Sequence, residues 1–100
     1  MNTISENVLQ INNLCKAHHV RSLFAFGSVV NNQLNMESDI DFIVDIDSID
    51  PLDYSDNYFE LKTQLEKLFN RKVDLLEDKT IKNVFLKNKI ESTKVLVYGR

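Results

Sequence analysis

The sequence predicts an α+β fold in which a small mixed β-sheet has helices packed against it, in the order αβαβαβαβ. Apolar residues recur at three- and four-residue steps in separate segments, as they do in amphipathic helices. Short apolar runs between those segments have the composition of buried strands. The apolar and charged fractions, 43% and 27%, are typical of an ordered globular chain. We expect residues 1–100 to form a single domain.

The beginning of the chain predicts a helix followed by a buried strand. Thr3 and Glu6 have the spacing of a capping box, so a helix is expected to begin there. Its apolar stripe ends near residue 18 and consists of Ile4, Val8, Ile11, Cys15 and His18. Residues 23–26 form a continuous apolar run, which is typical of a strand buried on both faces and which ends at Gly27.

The next segment predicts a short helix and a second strand. A helix over residues 28–32 would direct its N-terminus, with free N–H groups, toward an anion. Residues 39–46 predict a strand that has Ile40, Phe42, Val44 and Ile46 on one face. Residues 47–55, which contain the only proline, are expected to form a loop.

The rest of the chain predicts two more helices and two more strands. A helix is expected to end near residue 70, because Tyr54, Tyr58, Leu61, Leu65 and Leu68 recur at three- and four-residue steps. Residues 72–77 predict the third strand. Thr80 is a candidate N-cap of a helix that reaches Ile90. The valine-rich residues 94–98 predict a final strand or an extended tail.

Two aspartates, Asp39 and Asp41, flank Ile40 in an otherwise apolar strand, where aspartate is normally depleted. Residues at i and i+2 of a strand point to the same face, about 7 Å apart. Their carboxylates can therefore converge on one or two hard cations, and oxygen ligands of this kind suit Mg²⁺. A third carboxylate, Asp74, lies on the predicted third strand.

Gly27 and Ser28 precede this pair by ten intervening residues. Glycine lets backbone N–H groups approach a phosphate closely, and serine adds a hydroxyl donor. Together with the carboxylates, this turn predicts phosphoryl or nucleotidyl transfer from a nucleoside triphosphate. A second aspartate pair, Asp45 and Asp47, has no Gly-Ser partner at this spacing, so we expect those two side chains to be solvated.

The pattern Gly27-Ser28, ten residues, Asp39-x-Asp41 resembles the signature of the DNA polymerase β-like nucleotidyltransferases, and in particular their minimal nucleotidyltransferase (MNT) branch. The resemblance covers most of the chain, and Asp74 matches the third carboxylate of the family. It implies the polymerase β-like nucleotidyltransferase fold. Members of this branch often act as antitoxins that adenylylate a HEPN-type ribonuclease partner.

The resemblance also implies a role for each matched residue. Asp39, Asp41 and Asp74 would be catalytic residues and metal ligands for two Mg²⁺ ions, with ATP as the substrate. Gly27 and Ser28 would bind the β- and γ-phosphates, and Asp74 would help to activate the acceptor hydroxyl.

The chain departs from the family after the Gly-Ser pair, where many members carry arginine and glycine. Here residues 29–33 read Val-Val-Asn-Asn-Gln, and no basic residue occurs between Arg21 and Lys62. The triphosphate would be neutralised by metal and backbone, or by a distant lysine. Two alternatives stay open: a binding-only antitoxin module, and an aminoglycoside-type antibiotic nucleotidyltransferase.

Charge and composition restrict the classes of partner. The formal net charge of −3 argues against a general nucleic-acid binder. The charge is uneven: residues 1–50 carry seven acids and two bases, and residues 51–100 carry eight acids and ten bases. A single cysteine, Cys15, excludes an internal disulfide and favours the cytoplasm. No apolar run is long enough to span a membrane.

Overall fold

The computed structural model describes residues 2–30 and 39–99 of the chain. The helices in these ranges are Asn2–Ser5 (α1), Val8–Ala17 (α2), Pro51–Phe69 (α3) and Val84–Thr93 (α4). The strands are Val20–Phe26 (β1), Ile40–Ile46 (β2), Val73–Glu77 (β3) and Val95–Gly99 (β4). Gly27–Val29 and Asp78–Thr80 form short 3₁₀ turns. The predicted α+β class is confirmed.

The four strands form one mixed sheet in the order β3-β2-β1-β4. Strand β1 lies in the centre and pairs antiparallel with both β2 and β4. Strand β2 pairs parallel with β3. The N-terminal ends of β2 and β3 and the C-terminal end of β1 therefore meet at one edge of the sheet, which we call the carboxylate edge because Asp41 and Asp74 lie there.

The two faces of the sheet have different coverings. The core face carries the alternate residues of β2, and these pack with α2 and α3 in one buried cluster that includes Ile11, Cys15, Leu23, Ile40, Phe42, Val44, Ile46, Leu61 and Leu65. Phe42 also contacts Phe69, with ring centroids 6.1 Å apart. Because strand side chains alternate, Asp41, Ile43 and Asp45 point to the opposite face.

The C-terminal end of α4 lies over that opposite face, which we call the α4 face. Ile43 and Ile90 are 3% and 2% exposed, yet neither belongs to the main core cluster. A cavity of about 60 Å³ on this face is lined by residues from β1, β2 and the segment around α4, including Phe24, Ile43 and Lys94. The Lys94 ammonium lies 4.2 Å from the centroid of the Phe24 ring.

Helix α3 holds β3 through two tyrosine hydroxyls. Tyr54 donates a hydrogen bond of 2.6 Å to the Glu77 carboxylate, and Tyr58 donates to the Leu75 carbonyl. Burial is the main cause that raises the pKa of both phenols, with a further contribution from the nearby charge of Glu77. These contacts attach the outer parallel strand, which carries Asp74, to the longest helix of the described chain.

Four sequence predictions about helix boundaries are wrong. Thr3 and Glu6 do not open the first helix as a capping box; α1 ends at Ser5, and α2 starts again at Val8. The Asn7 amide between them donates to the Thr3 carbonyl at 2.9 Å. This local hydrogen bond competes with helix continuation.

The start of α4 is a second error. Thr80 ends the 3₁₀ turn instead of capping this helix, which begins at Val84 and is capped by Asn83, whose side chain accepts from the Leu86 N–H at 3.1 Å.

The other two boundaries concern the turn after β1 and the start of α3. Residues 27–29 form a 3₁₀ turn instead of the start of an α-helix at residue 28, and residues 31 and 32 of that prediction lie outside the described ranges. Helix α3 begins at Pro51, inside the predicted loop. Proline suits the first helical turn, and the Asp50 side chain caps it by accepting from the Leu52 N–H at 2.9 Å.

Within the described residues, no helix is long and apolar enough to cross a membrane.

The C-cap of α3 provides a test of backbone conformation. Asn70 has φ 52° and ψ 44°, which is the left-handed region. Asn70→Val should lower the free energy of unfolding by about 1–2 kcal/mol, because a β-branched residue is disfavoured there. Asn70→Gly should change it by less than about 0.5 kcal/mol. Urea unfolding of both variants measures the difference, and equal losses would contradict a backbone origin.

Candidate active site

The sheet brings Asp41 and Asp74 together although they are far apart in the sequence. Their Cα atoms are direct partners in the parallel β2–β3 pair. Asp39 lies two residues before Asp41, next to the start of β2, so it shares the same edge of the sheet. Asp39 and Asp74 are exposed, and Asp41 is half-buried.

The electrostatic environment of Asp41 reflects this convergence. Its pKa is raised above the ordinary value for aspartate, first by burial, then by the negative charge of Asp74 and then by that of Asp39. A carboxylate whose pKa is raised by neighbouring negative charge favours a bound cation, which removes the repulsion. Asp39 and Asp74 are therefore both close enough to Asp41 for their charges to act on its carboxylate.

Gly27 lies against the carboxylate of Asp41 because Phe26, the residue before it, is the cross-strand partner of Asp41. A Cβ atom added to Gly27 would be 2.5 Å from Asp41 Oδ2, which is closer than real contacts allow. Gly27 also has φ +76°, a conformation that residues with side chains rarely adopt. Both facts make glycine the residue that fits here.

The turn that begins at Gly27 is held in place beside the carboxylates. The Val30 N–H donates to the Gly27 carbonyl at 3.1 Å, and Val29 is 3% exposed and belongs to the main core cluster. Ser28 lies between Gly27 and Val29 in the 3₁₀ turn. The predicted Gly27-Ser28 turn is therefore adjacent to Asp41 in space as well as in the motif.

The donor set of this site fits Mg²⁺. All three predicted ligands are carboxylates, which are the hard oxygen donors that Mg²⁺ prefers. Among residues 2–30 and 39–99, no three side chains of His, Cys, Asp or Glu form a group that could hold a metal ion without further ligands. Mg²⁺ commonly keeps several waters and completes its coordination with substrate phosphates, so an open set of carboxylates at the edge of a sheet suits it.

The second aspartate pair makes a surface ion pair, and both side chains keep solvent exposure, 37% for Asp45 and 68% for Asp47. Asp45 lies within β2 and is half-buried. The Arg21 guanidinium contacts Asp45 Oδ2 at 3.2 Å and Asp47 Oδ1 at 2.9 Å. This ion pair joins β1 to the end of β2 that is remote from the carboxylate edge.

A larger cavity, of about 410 Å³, also lies away from the carboxylate edge. Its lining includes Ser48 after β2, Tyr54 and Phe59 on α3, and Glu77 at the end of β3. These positions are at the opposite ends of β2 and β3 from Asp41 and Asp74. The cavity is therefore separate from the site where the carboxylates converge.

A distant lysine for the triphosphate was left open by the sequence. Lys94 is a partly buried lysine on the α4 face, and its ammonium pairs with Glu91 at 3.0 Å as well as contacting Phe24. Val95, the next residue, is the cross-strand partner of Ala25, two residues before Gly27. The sequence did not single out Lys94, because its position near the turn depends on how β4 pairs with β1.

Comparison with known proteins gives consistent matches. Residues 9–100 match the family described as "Polymerase beta, Nucleotidyltransferase". A candidate protein adenylyltransferase of Methanocaldococcus jannaschii, MJ1379, is 38% identical over 80 residues, which are 80% of this chain and 79% of that protein.

Two solved toxin–antitoxin structures have a similar fold. One, solved with AMP-PNP, matches 94% of this chain and 74% of its own chain at a TM-score of 0.72 and 22% identity. The other is a tri-AMPylated Shewanella oneidensis HEPN toxin in complex with an MNT antitoxin. It matches 97% of this chain and 73% of its own chain at a TM-score of 0.66 and 20% identity.

The contact between Gly27 and Asp41 predicts a coupled effect of substitution. Gly27→Ala should lower the free energy of unfolding by about 1–2 kcal/mol, because alanine is disfavoured at this φ and its methyl group meets the Asp41 carboxylate. The double variant Gly27→Ala/Asp41→Ala removes the second cause and should recover part of the loss. Chemical denaturation of the wild type, both single variants and the double variant measures this coupling, and strictly additive effects would contradict the contact.

The raised pKa of Asp41 predicts opposite effects of one substitution with and without Mg²⁺. A raised pKa in the folded state means that the negative charge of Asp41 opposes folding near pH 7. Asp41→Asn should therefore have an equal or higher Tm than the wild type in EDTA, but it should gain less stability from added Mg²⁺. Asp45→Asn, which loses only a surface ion pair, should respond to Mg²⁺ like the wild type. The idea fails if Asp45→Asn loses as much Mg²⁺ stabilisation as Asp41→Asn.

Proposed function

Since this chain belongs to the polymerase β nucleotidyltransferase family, we propose that it transfers AMP from ATP to a hydroxyl group of a protein partner. Family membership and fold confirm the resemblance found in the Gly-Ser/Asp-x-Asp pattern. The observation that carries the proposal is the arrangement at the carboxylate edge. There the turn at Gly27 lies so close to Asp41 that a Cβ atom at position 27 would meet the Asp41 carboxylate, and Asp74 is the neighbour of Asp41 across the sheet.

Each residue of the site would have its own role in the transfer. Asp39, Asp41 and Asp74 would hold Mg²⁺, which supplies neutralisation of the triphosphate charge. The turn of Gly27 and Ser28 would take the β- and γ-phosphates, where close backbone approach is possible. Asp74 would orient the acceptor hydroxyl and favour loss of its proton. The acceptor oxygen forms a bond to the α-phosphorus, the bond to the β-phosphate oxygen breaks, and pyrophosphate leaves.

We further propose that the acceptor is a HEPN-type toxin and that the chain acts as its antitoxin. Two of the chains with a similar fold come from toxin–antitoxin structures, one of them with a tri-AMPylated HEPN toxin and one with AMP-PNP. The exposed positions of Asp39 and Asp74 support this choice, because a macromolecular acceptor can reach them. A buried thiol at Cys15, with no other cysteine in the sequence, is consistent with a reaction in the cytoplasm.

Neutralisation of the partner by contact alone is a second candidate. One observation favours it: the turn continues into Val29 and Val30, and the sequence has no basic residue between Arg21 and Lys62. A weakly catalytic chain would bind its partner without modifying it. The two candidates differ in whether the partner gains mass.

Nucleotide binding should depend strongly on divalent cation. The carboxylates repel an anionic triphosphate unless a cation lies between them, and no arginine follows Ser28 to compensate. ATP affinity measured by calorimetry should fall by at least ~10²-fold when EDTA replaces Mg²⁺. Equal affinity in the two conditions would contradict a metal-dependent site.

AMP transfer should depend on Asp39 and Asp41 but not on Asp45. Intact-mass spectrometry of a HEPN-type toxin co-expressed with this chain should show additions of AMP. Asp39→Asn and Asp41→Asn should each reduce the transfer rate by at least ~10²-fold, on the scale of losing an electrostatic stabiliser. Asp45→Asn is the matched control and should transfer at nearly the wild-type rate. A partner that stays unmodified and is still neutralised would favour the binding-only candidate.

A further inference from the structure

Helix α4 exposes nearly all of its side chains. Of its ten residues, Ile90 is the one that is buried. The first turn is apolar and exposed: Val84 is 65%, Phe85 is 88% and Leu86 is 41% solvent-accessible. A ten-residue helix is marginal in water without tertiary packing, and a cluster of exposed large apolar residues marks an interaction site more often than an isolated one does.

Lysines flank this apolar turn in the sequence. Residues 79–99 contain five lysines, at positions 79, 82, 87, 89 and 94, and one acid, Glu91. Lys79 lies over the Tyr54 ring at 3.9 Å, and Lys94 pairs with Glu91. In contrast, Lys82, Lys87 and Lys89 are exposed, and none of them makes an ion pair or side-chain hydrogen bond with the described residues. This concentration of positive charge contrasts with the net charge of −3 for the whole sequence.

The position of α4 relates this surface to the carboxylate edge. Lys94, the C-cap residue of α4, lies over the Phe24 ring, and Phe24 is the cross-strand partner of Ile43. Because Ile43 and Asp41 lie on the same face of β2, the C-terminal end of α4 is on the face of the sheet from which Asp41 projects. The C-terminal end of α4 leads into β4 beside the end of β1, close to Gly27. A ten-residue helix is about 15 Å long, so the apolar turn lies about one helix length from that edge.

We propose that the first turns of α4, with Lys82, Val84, Phe85, Lys87 and Lys89, dock the acceptor protein; we call these five residues the docking surface. This inference rests on the proposed function and identifies the part of the chain that recognises the protein substrate. The occupant is a protein with an acidic surface around an apolar recess that takes the Phe85 ring. Charge complementarity favours a partner with an acidic surface, because the docking surface has three lysines without an ion pair to the described residues and has no acid.

The two kinds of residue on the docking surface contribute differently. A buried aromatic anchor supplies most of the affinity of a typical interface. Rim lysines mainly raise the association rate and select acidic partners. A typical interface buries about 800 Å² on each partner, which is wide enough to cover both α4 and the carboxylate edge. A partner seated on α4 would therefore present its hydroxyl at the edge where Asp41 and Asp74 lie.

The test uses the full chain with a co-expressed HEPN-type toxin as the probe. Phe85→Ser removes the anchor, and the double variant Lys87→Glu/Lys89→Glu reverses the rim charge. The control for Phe85→Ser is Leu9→Ser, because Leu9 is also a large apolar residue and is 73% exposed on α2. The control for the lysine variant is Lys16→Glu/Lys67→Glu, on α2 and α3. Each variant is measured for toxin affinity, for AMP transfer as a function of toxin concentration, and for ATP affinity.

Phe85→Ser should weaken toxin binding by at least ~10-fold, as expected for an aromatic anchor, and should raise the KM for the toxin with ATP affinity unchanged. The Lys87→Glu/Lys89→Glu variant should slow association and reduce its dependence on salt. Wild-type affinity in both docking variants, or equal losses in the controls, would overturn the proposal.

Two further outcomes separate this inference from the proposed function and from another ligand. If the wild type binds the toxin through Phe85 but adds no AMP, the docking surface stands and the proposed transfer fails. A labelled single-stranded RNA measures the alternative that an aromatic ring among lysines binds nucleic acid. RNA binding by the wild type that Phe85→Ser abolishes, with toxin binding intact, would overturn the docking proposal.

Discussion

The pairing register of the sheet is the constraint on which the site depends. Phe26 is opposite Asp41 across β1 and β2, and Asp74 is opposite Asp41 across β2 and β3. This single row places the Gly27 turn and two carboxylates together. A shift of one residue in either pairing would turn Asp41 or Asp74 toward the core face. The buried residues of β2, such as Phe42 and Val44, prevent this shift because they would be moved to the opposite face.

The stability of the core therefore supports an arrangement that is itself unfavourable. Burial and the negative charges of Asp74 and Asp39 all raise the pKa of Asp41, so its charged form is disfavoured where the fold places it. Local repulsion of this kind persists when the surrounding packing determines the position of each strand. Val29 in the core and the Tyr58 hydrogen bond to β3 hold the turn and the outer strand on either side.

The two faces of the sheet have different functions. The core face is sealed by α2 and α3, whose side chains Ile11, Leu61 and Leu65 are completely buried. The α4 face combines charged residues with the lightly packed α4, anchored by Ile90. This division is physically reasonable, because a protein substrate can reach a face that the fold leaves partly open, whereas the sealed face supplies most of the apolar burial that stabilises the fold.

Features that depend on neighbours in the chain could be predicted from the sequence. The amphipathic pattern of α3, the strands around Leu23 and Phe42, and the Gly27-Ser28/Asp39-x-Asp41 spacing are all local, since side-chain direction repeats within a helix or strand. Other features were decided by the tertiary structure. These are the meeting of Asp74 with Asp41, the fit of Gly27 against Asp41 Oδ2, the pairing of Arg21 with Asp45 and Asp47, and the exposure of Phe85. Each of them joins segments that are distant in sequence, or depends on what covers a helix, and local periodicity carries no information about which strand pairs with which.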